Sequence, residues 1–295
     1  MPLWERRAVS QFVFTLLNGV TLAGVFFLVA SGLTLIFGLM RVINLAHGGY
    51  YLFAAYFSWT IMDKVHNWAL GALISAIFMA VAGTIIYIIL LRRFQYEELR
   101  VALITLGISL ILQQLMLALF GGDAYQISVP TPLRGVVAIP GVEVNFPKFK
   151  LIFFLFAIVI GLGLWLLISK TKFGSIIRAG VDDTMMVSAL GIDVQKVFTL
   201  VIALGCALVG FAGAVGGTYI AYGMGTDGDF LLFSLQVVII GGLGSVGGAA
   251  LGSLIVGVVG QLATGYAPTL SGAIVFILMI LVLAFRPQGI LGRKL

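Results

Sequence analysis

Residues 230–285 read FLLFSLQVVIIGGLGSVGGAALGSLIVGVVGQLATGYAPTLSGAIVFILMILVLAF, a run of 56 without a single Asp, Glu, Lys, Arg or His. A helical crossing of a bilayer needs about 20 predominantly apolar residues, so the run is too long to cross once. Fully helical, it would reach about 84 Å, slightly short of three crossings of about 30 Å. The glycines between positions 240 and 248, and Pro268, break it further. The stretch predicts two shortened or half-helices meeting at the glycine block, followed by one ordinary span. Interrupted helices at membrane depth are tolerated where protein or a water-filled cavity satisfies the backbone, as along a translocation path.

Working outward, windows free of ionisable side chains also cover residues 11–40, 68–91, 101–122, 151–169 and 197–226, with a shorter one at 48–62. The chain is 61% hydrophobic and 9% charged, against about 25% charged in soluble domains. These values describe an all-α polytopic membrane protein, read as one transmembrane domain over residues 1–295. A transmembrane β-barrel would alternate apolar and polar positions over about ten residues per strand, and no such alternation runs here. The first apolar run exceeds a signal-peptide core and reads as a retained span. Cys206 is the only cysteine and lies inside a span, so no internal disulfide forms. The net charge of +6 is the surplus of Lys and Arg on cytoplasmic loops and does not signal nucleic acid.

Basic residues gather at Arg92, Arg93 and Arg100, at Lys170, Lys172, Arg178 and Lys196, and at Arg286, Arg293 and Lys294. The positive-inside rule puts these three regions in the cytoplasm. Residues 123–150, rich in proline, and the segment holding Asp227 and Asp229 then lie outside. Counting back from Arg92 gives nine crossings with the N-terminus outside, which places Arg6 and Arg7 against the rule. Eight crossings, with one of the first two segments re-entrant, is the alternative.

Several motifs invite a chemical reading. Residues 242–247, GLGSVG, match the dinucleotide pattern G-x-G-x-x-G after the strand-like Val237, Val238, Ile239 and Ile240, but that site needs an acidic residue about 20 positions on. No Asp or Glu follows Asp229. Gly241, Gly242, Gly244, Gly247 and Gly248 instead allow a turn and close backbone approach, either as ordinary helix packing or as the hinge of a path. Asn44 and His47 sit between two apolar segments, where they either cap a helix or bond a neighbouring backbone, or else line a path or hinge. Gln236 is a weaker candidate of the same kind. No P-loop occurs, so ATP energy must come from a partner. No catalytic pair and no metal-ligand cluster is present, and every Asp reads as a loop residue.

The polar island at residues 170–196 holds four basic and three acidic residues between two apolar runs. Between Gly180 and Gly191 it predicts a short helix, with Asp182 or Asp183 as N-cap and Gly191 at the left-handed position after its end. Met185, Met186, Ala189 and Leu190 give that helix much apolar surface, which suits docking into a groove on another protein. The other reading is a helix lying on the membrane surface, although such helices are longer and carry a basic face.

The island's Phe173-Gly174, Arg178-Ala179, Asp182-Asp183 and Ser188-Ala189-Leu190-Gly191-Ile192 resemble the cytoplasmic coupling loop of branched-chain amino acid (LIV-type) ABC importer permeases. Three further segments agree in order: residues 32–38 (GLTLIFG) leading to 43–48 (INLAHG), 241–249 (GGLGSVGGA), and 286–292 (RPQGILG). The chain looks like the shorter of the two permease types in these systems. The resemblance implies a fold akin to the vitamin-importer (type II) class, in the bacterial cytoplasmic membrane. It implies a second related permease subunit, two cytoplasmic ATPase subunits carrying ATP and Mg, and a periplasmic binding protein contacting residues 123–150 and 222–230. No cofactor is then expected on this chain. Relatives of this kind serve branched-chain and other amino acids, amides, urea or aromatic acids, so the resemblance leaves the solute open.

Overall fold

The computed structural model describes residues 3–139, 144–182 and 184–292. Its helices are α1 (Leu3–Met40), α2 (His47–Val65), α3 (Trp68–Ile86), α4 (Glu98–Phe120), α5 (Lys148–Lys170), α6 (Lys172–Asp182), α7 (Thr184–Ala189), α8 (Val194–Tyr219), α9 (Thr226–Gly241), α10 (Val246–Tyr266) and α11 (Ser271–Phe285). A two-stranded antiparallel hairpin, β1 (Val136–Ala138) and β2 (Asn145–Pro147), pairs Val137 with Phe146 in the α4–α5 connector. Among the described residues, seven helices are long and apolar enough to cross a membrane. α2 and α9 are not among these seven.

Side-chain contacts fix which helix ends lie together. At one end, Lys150 at the start of α5 donates to Asn18 of α1 (2.6 Å), and Tyr219 at the end of α8 meets Thr21 (2.8 Å). Tyr222 donates to the Ala55 carbonyl of α2 (3.2 Å), and Tyr56 stacks on Phe120 at the end of α4. At the other end, Tyr87 at the close of α3 donates to Gln95 (2.8 Å) and lies 3.5 Å from Gln195 of α8. There the tail after α11 bonds the end of α9, with Ile290 N–H donating to the Ile240 carbonyl at 2.9 Å. Among the described residues, adjacent long helices therefore alternate in direction, with α2 and α9 running between them. The start of α1 shares an end with the 123–147 connector, and the basic loops share the opposite end with α6 and α7. Arg6 and Arg7 lie at the same end as that connector, opposite the other basic loops, and α2 and α9 are not among the seven helices long and apolar enough to cross.

α1 and α8 form the core, and most of their residues in the span are buried, whereas α3, α4, α5 and α11 present most of their surface outward. Small residues let the two central helices meet. A Cβ on Gly205 would stand 2.9 Å from Ile36 and 3.0 Å from the Gly32 carbonyl, so only glycine fits that crossing.

The expected interruption at residues 241–248 is corrected in position. α10 is a full-length helix of 21 residues, so of the two helices that meet at the glycine block only α9, with 16, is short. The turn at 242–245 lies at the inner end of the bundle and not at mid-depth. The reason is the C-terminal tail, which satisfies the last carbonyls of α9 there. The chain breaks at depth elsewhere. His47, at the start of α2, sits beside Val29, so residues 41–46 fold back along α1 by about 16 Å, the rise of eleven helical residues. α9 also begins below the outer end, because Phe230 packs on Phe26 of α1 and on Tyr51 of α2.

Candidate functional site

The polar island forms two helices and not one. Thr171 caps α6 by accepting from Gly174 N–H (3.1 Å), and Gly174 lets the chain reverse against the Ile168 carbonyl. Gly180, expected outside the short helix, is buried within α6, where a Cβ would meet Leu39 of α1 at 3.0 Å. Asp182 ends α6 and so does not begin the following helix, and Asp183 lies outside the described residues. The packing of Gly180 on α1 explains the difference, because a helix seated on Leu39 continues past the glycine.

The second half of the island is the short helix α7. α7 carries Met185, 77% exposed, Met186, 60%, and Leu190 just beyond it, 73%, with Ala189 also exposed. Val187 points the other way and is buried. Gly191 takes φ +80, and its N–H donates to the Ser188 carbonyl (3.0 Å). That left-handed residue closes the helix, which a side chain would strain. Asp193 then caps α8 by accepting from Lys196 N–H at 3.2 Å. This hydrogen bond holds its carboxyl below the usual carboxylate range. The exposed methionines and leucine thus form one adaptable apolar face at the basic end of the molecule.

The glycine block gathers segments far apart in sequence. Gly244, at φ +76, packs on Gly38 of α1 with 3.0 Å between a Cβ and the opposing Cα, and Gly242, at φ +113, packs on Gly289 and Gly292 of the tail. Leu291 N–H donates to the Gly241 carbonyl (2.9 Å). Gly241 and Gly248 face one another across the α9–α10 hairpin, where a Cβ on either would collide with the other's carbonyl. Gly247 lines an apolar groove of about 330 Å³ with Gly24, Gly161 and Trp165. The residues expected along a path therefore include a helix hairpin, a turn and a groove wall. α1 joins them to the island, since Leu39 touches Gly180 and the neighbouring Gly38 touches Gly244.

Asn44 and His47 occupy the break at depth. Asn44 Oδ1 accepts from Ala46 N–H (3.1 Å), a local turn that starts α2. Thr105 of α4 accepts from Leu45 N–H (3.0 Å). His47 is fully buried, with Nε2 2.8 Å from the Val29 carbonyl. A carbonyl only accepts, so Nε2 carries the proton, and Nδ1 has no partner among the described residues. Gln236 is buried on α9 with its Oε1 likewise unpartnered.

One polar residue at depth, Asp227, reads from the sequence as a loop residue. Asp227 is 8% exposed in the first turn of α9, and Gln113 of α4 donates to its Oδ1 at 3.2 Å. The signal was the left-handed Gly225 followed by two acidic residues two apart, a helix start. What concealed it was the expectation that α9 begins at the membrane surface.

Comparison with known proteins bears on these features. A family model described as branched-chain amino acid transport system, permease component, matches residues 15–283. The high-affinity branched-chain amino acid transport permease BraD of Pseudomonas aeruginosa is 29% identical, with 97% of each chain covered. LivH of Escherichia coli K12, of the same description, is 30% identical over 96% of this chain and 97% of its own. A probable LivH permease of Methanocaldococcus jannaschii is 30% identical over 90% of this chain and 88% of its own. No solved structure matches the chain.

Proposed function

The chain belongs to the permease-component family of branched-chain amino acid transport systems, and from that premise we propose that it imports a small organic solute when cytoplasmic ATPase subunits press on α7. The observation that carries this reading is the exposed face of Met185, Met186, Ala189 and Leu190 at the basic end of the molecule, on a loop that rests on the end of α1. ATP and Mg act on the partners, as this chain has no P-loop. A second related permease would complete the path, and a periplasmic binding protein would deliver a branched-chain amino acid or related solute to the outer connectors. Gly191 closes the docking helix, and Asp182 and Asp183 precede it in the sequence. Asn44, His47, Gln236 and the glycines 241, 242, 244, 247 and 248 would relay or accommodate the motion that follows.

The mechanical route runs through contacts already described. Closure of the ATPase pair moves α7 and α6, and Gly180 bears on Leu39. The end of α1 then bears on Gly244 and the α9–α10 turn, which the tail clamps at Ile240 and Gly241. Packed elements of this kind shift as units and do not deform smoothly. Reconstitution tests the reading. Vesicles holding this chain, its partner permease and both ATPases should take up leucine from the binding protein only with ATP hydrolysis. Uptake that persists when every ATPase subunit is removed would identify a self-contained transporter instead.

A further inference from the structure

α3 lies along α8 through residues spaced four apart. Ser75 donates to the Gly210 carbonyl (3.2 Å), Met79 also packs on Gly210, and Gly83 packs on Cys206. Tyr87, Leu91 and Gln95 continue the buried line. An α-helix cannot keep such a line straight, because four residues overshoot a full turn by about 40° each time. The chain corrects the drift with one π turn, Tyr87–Leu91, in which Arg92 N–H returns to the Tyr87 carbonyl, five residues back. The wider turn brings the line round toward α8 again, and single π turns inside α-helices recur at functional sites.

The π turn sets one hydroxyl where three segments meet. The fully buried Tyr87 donates to Gln95 Oε1 of the α3–α4 connector (2.8 Å), and Oε1 of Gln195, in the first turn of α8, lies 3.5 Å away. A phenol has a single proton to give, so the two amides compete for it. Gln195 stands four residues after Gly191, which closes α7, so a displacement of α7 reaches it early. The connector is in turn tied to α4, where Arg100 lies over the Phe94 ring (4.9 Å) and pairs with Glu97 (2.9 Å). Further along, α4 holds both segments that start at depth, through Thr105 on Leu45 and Gln113 on Asp227.

We propose that Tyr87 is a positioning residue for ATP coupling. Movement of α7 carries the first turn of α8 toward the Tyr87 hydroxyl, which exchanges Gln95 for Gln195. The exchange releases the connector, and α4 with it, to shift against the starts of α2 and α9. The inference rests on the import reading and adds to it a second route, through α8 and α4, beside the one through the end of α1. What makes it a switch and not a rigid strut is the one proton offered to two acceptors on separate segments, a two-position element that both ends of the route can bias.

Vesicles holding the complete permease–ATPase complex, supplied with leucine-loaded binding protein, test this by the leucine taken up per ATP hydrolysed. Tyr87→Phe keeps the ring, removes the hydroxyl, and should lower this ratio about fivefold or more, the scale of coupling between linked sites. Gln195→Leu, at a half-buried position, should lower it by a similar factor. The double variant should be no worse than either single one, because each removes the same exchange. Gln195→Glu keeps an accepting oxygen at the same reach and should retain most of the ratio. Lost packing alone reduces the amount of folded complex, which scales uptake and hydrolysis together and leaves the ratio where it was. An unchanged ratio in an assembled Tyr87→Phe complex overturns the proposal, as does a double variant whose loss is the product of the two single losses. Should Tyr87→Phe fail to assemble, position 195 decides alone, and equal ratios for its Leu and Glu variants overturn the proposal. None of these outcomes touches the import reading, which falls only if the unsubstituted complex takes up leucine without hydrolysing ATP.

Discussion

Gly38 of α1 and Gly244 of the α9–α10 turn meet so closely that a Cβ on either would stand 3.0 Å from the other's Cα. One residue further along, Leu39 reaches Gly180 in α6, and on the far side of the turn Gly242 packs on Gly289. The end of α1 is thus held between the α6–α7 loop and the hairpin that the C-terminal tail clamps. Four segments that are scattered along the sequence share one small volume.

The two glycines of this contact should respond differently to alanine. Gly38 lies in a helix, so Gly38→Ala adds only steric pressure, costing about 1–3 kcal/mol if the neighbour yields. Gly244 adds a left-handed backbone at φ +76, so Gly244→Ala carries that strain as well. Thermal unfolding of the purified complex should rank Gly244→Ala below Gly38→Ala. ATP-dependent uptake should fall in both, and equal stability of the two variants would remove backbone strain from the account.

Leu190→Asp should abolish co-purification with the ATPase subunits while leaving the spans folded. Leu190 is 73% exposed, so the substitution touches little of this chain's own packing. Exposed positions away from special features change stability by about 0.5 kcal/mol or less. A charge in a docking face has a larger effect, because the partner's apolar groove would have to bury it. Intact assembly of the variant would remove α7 from the interface.

Much of this was legible in the sequence because the bilayer enforces it. Windows free of charge marked the spans, and the crowding of Lys and Arg between residues 92 and 100 and between 170 and 196 set the direction of the chain. Gly191 declared its left-handed conformation through its place after an apolar helix. What could not be read was depth. Charge-free windows do not tell where a helix begins along the bilayer normal, so from sequence Asp227 reads as a loop residue and the break falls on the glycine block and not on residues 41–46. The continuation of α6 through Gly180 escaped for a related reason. Glycine signals both a helix end and a close contact, and only the position of Leu39 decides between them.

Acidification should loosen the start of α8. The Asp193 carboxyl is held below its ordinary range chiefly by Lys196 N–H, so the ionised form is the one that caps the helix. A depressed carboxylate contributes stability that is complete above its unfolded pKa and is lost as pH falls through its folded one. At neutral pH the contribution is therefore complete, and it fades only below the ordinary Asp range of about 4. Hydrogen exchange at residues 196–198 should be slow and constant from neutral pH down to that range, after correction for intrinsic rates, and should quicken below it. Asp193→Asn keeps a capping oxygen and should abolish the acid step, whereas Asp193→Ala should exchange quickly at every pH.

His47 distinguishes an anchor from a pore-lining residue. Its Nε2–H bond to the Val29 carbonyl ties the start of α2 to the middle of α1, across a break where residues 41–46 fold back into the bundle. His47→Ala should cost about 1–3 kcal/mol, the range for leaving a buried polar group unpaired, and should lower the unfolding temperature before it alters transport. His47→Gln carries an amide N–H on a chain of suitable reach and should restore most of that stability. If the histidine acts as an anchor, transport rate per folded complex stays near the unsubstituted value in both variants. If Nδ1 instead meets the solute, His47→Gln restores stability while the rate, or the preference between leucine and a smaller amino acid, remains altered. Measuring unfolding temperature and uptake on the same preparations separates the two roles, because packing acts on the first quantity and solute contact on the second.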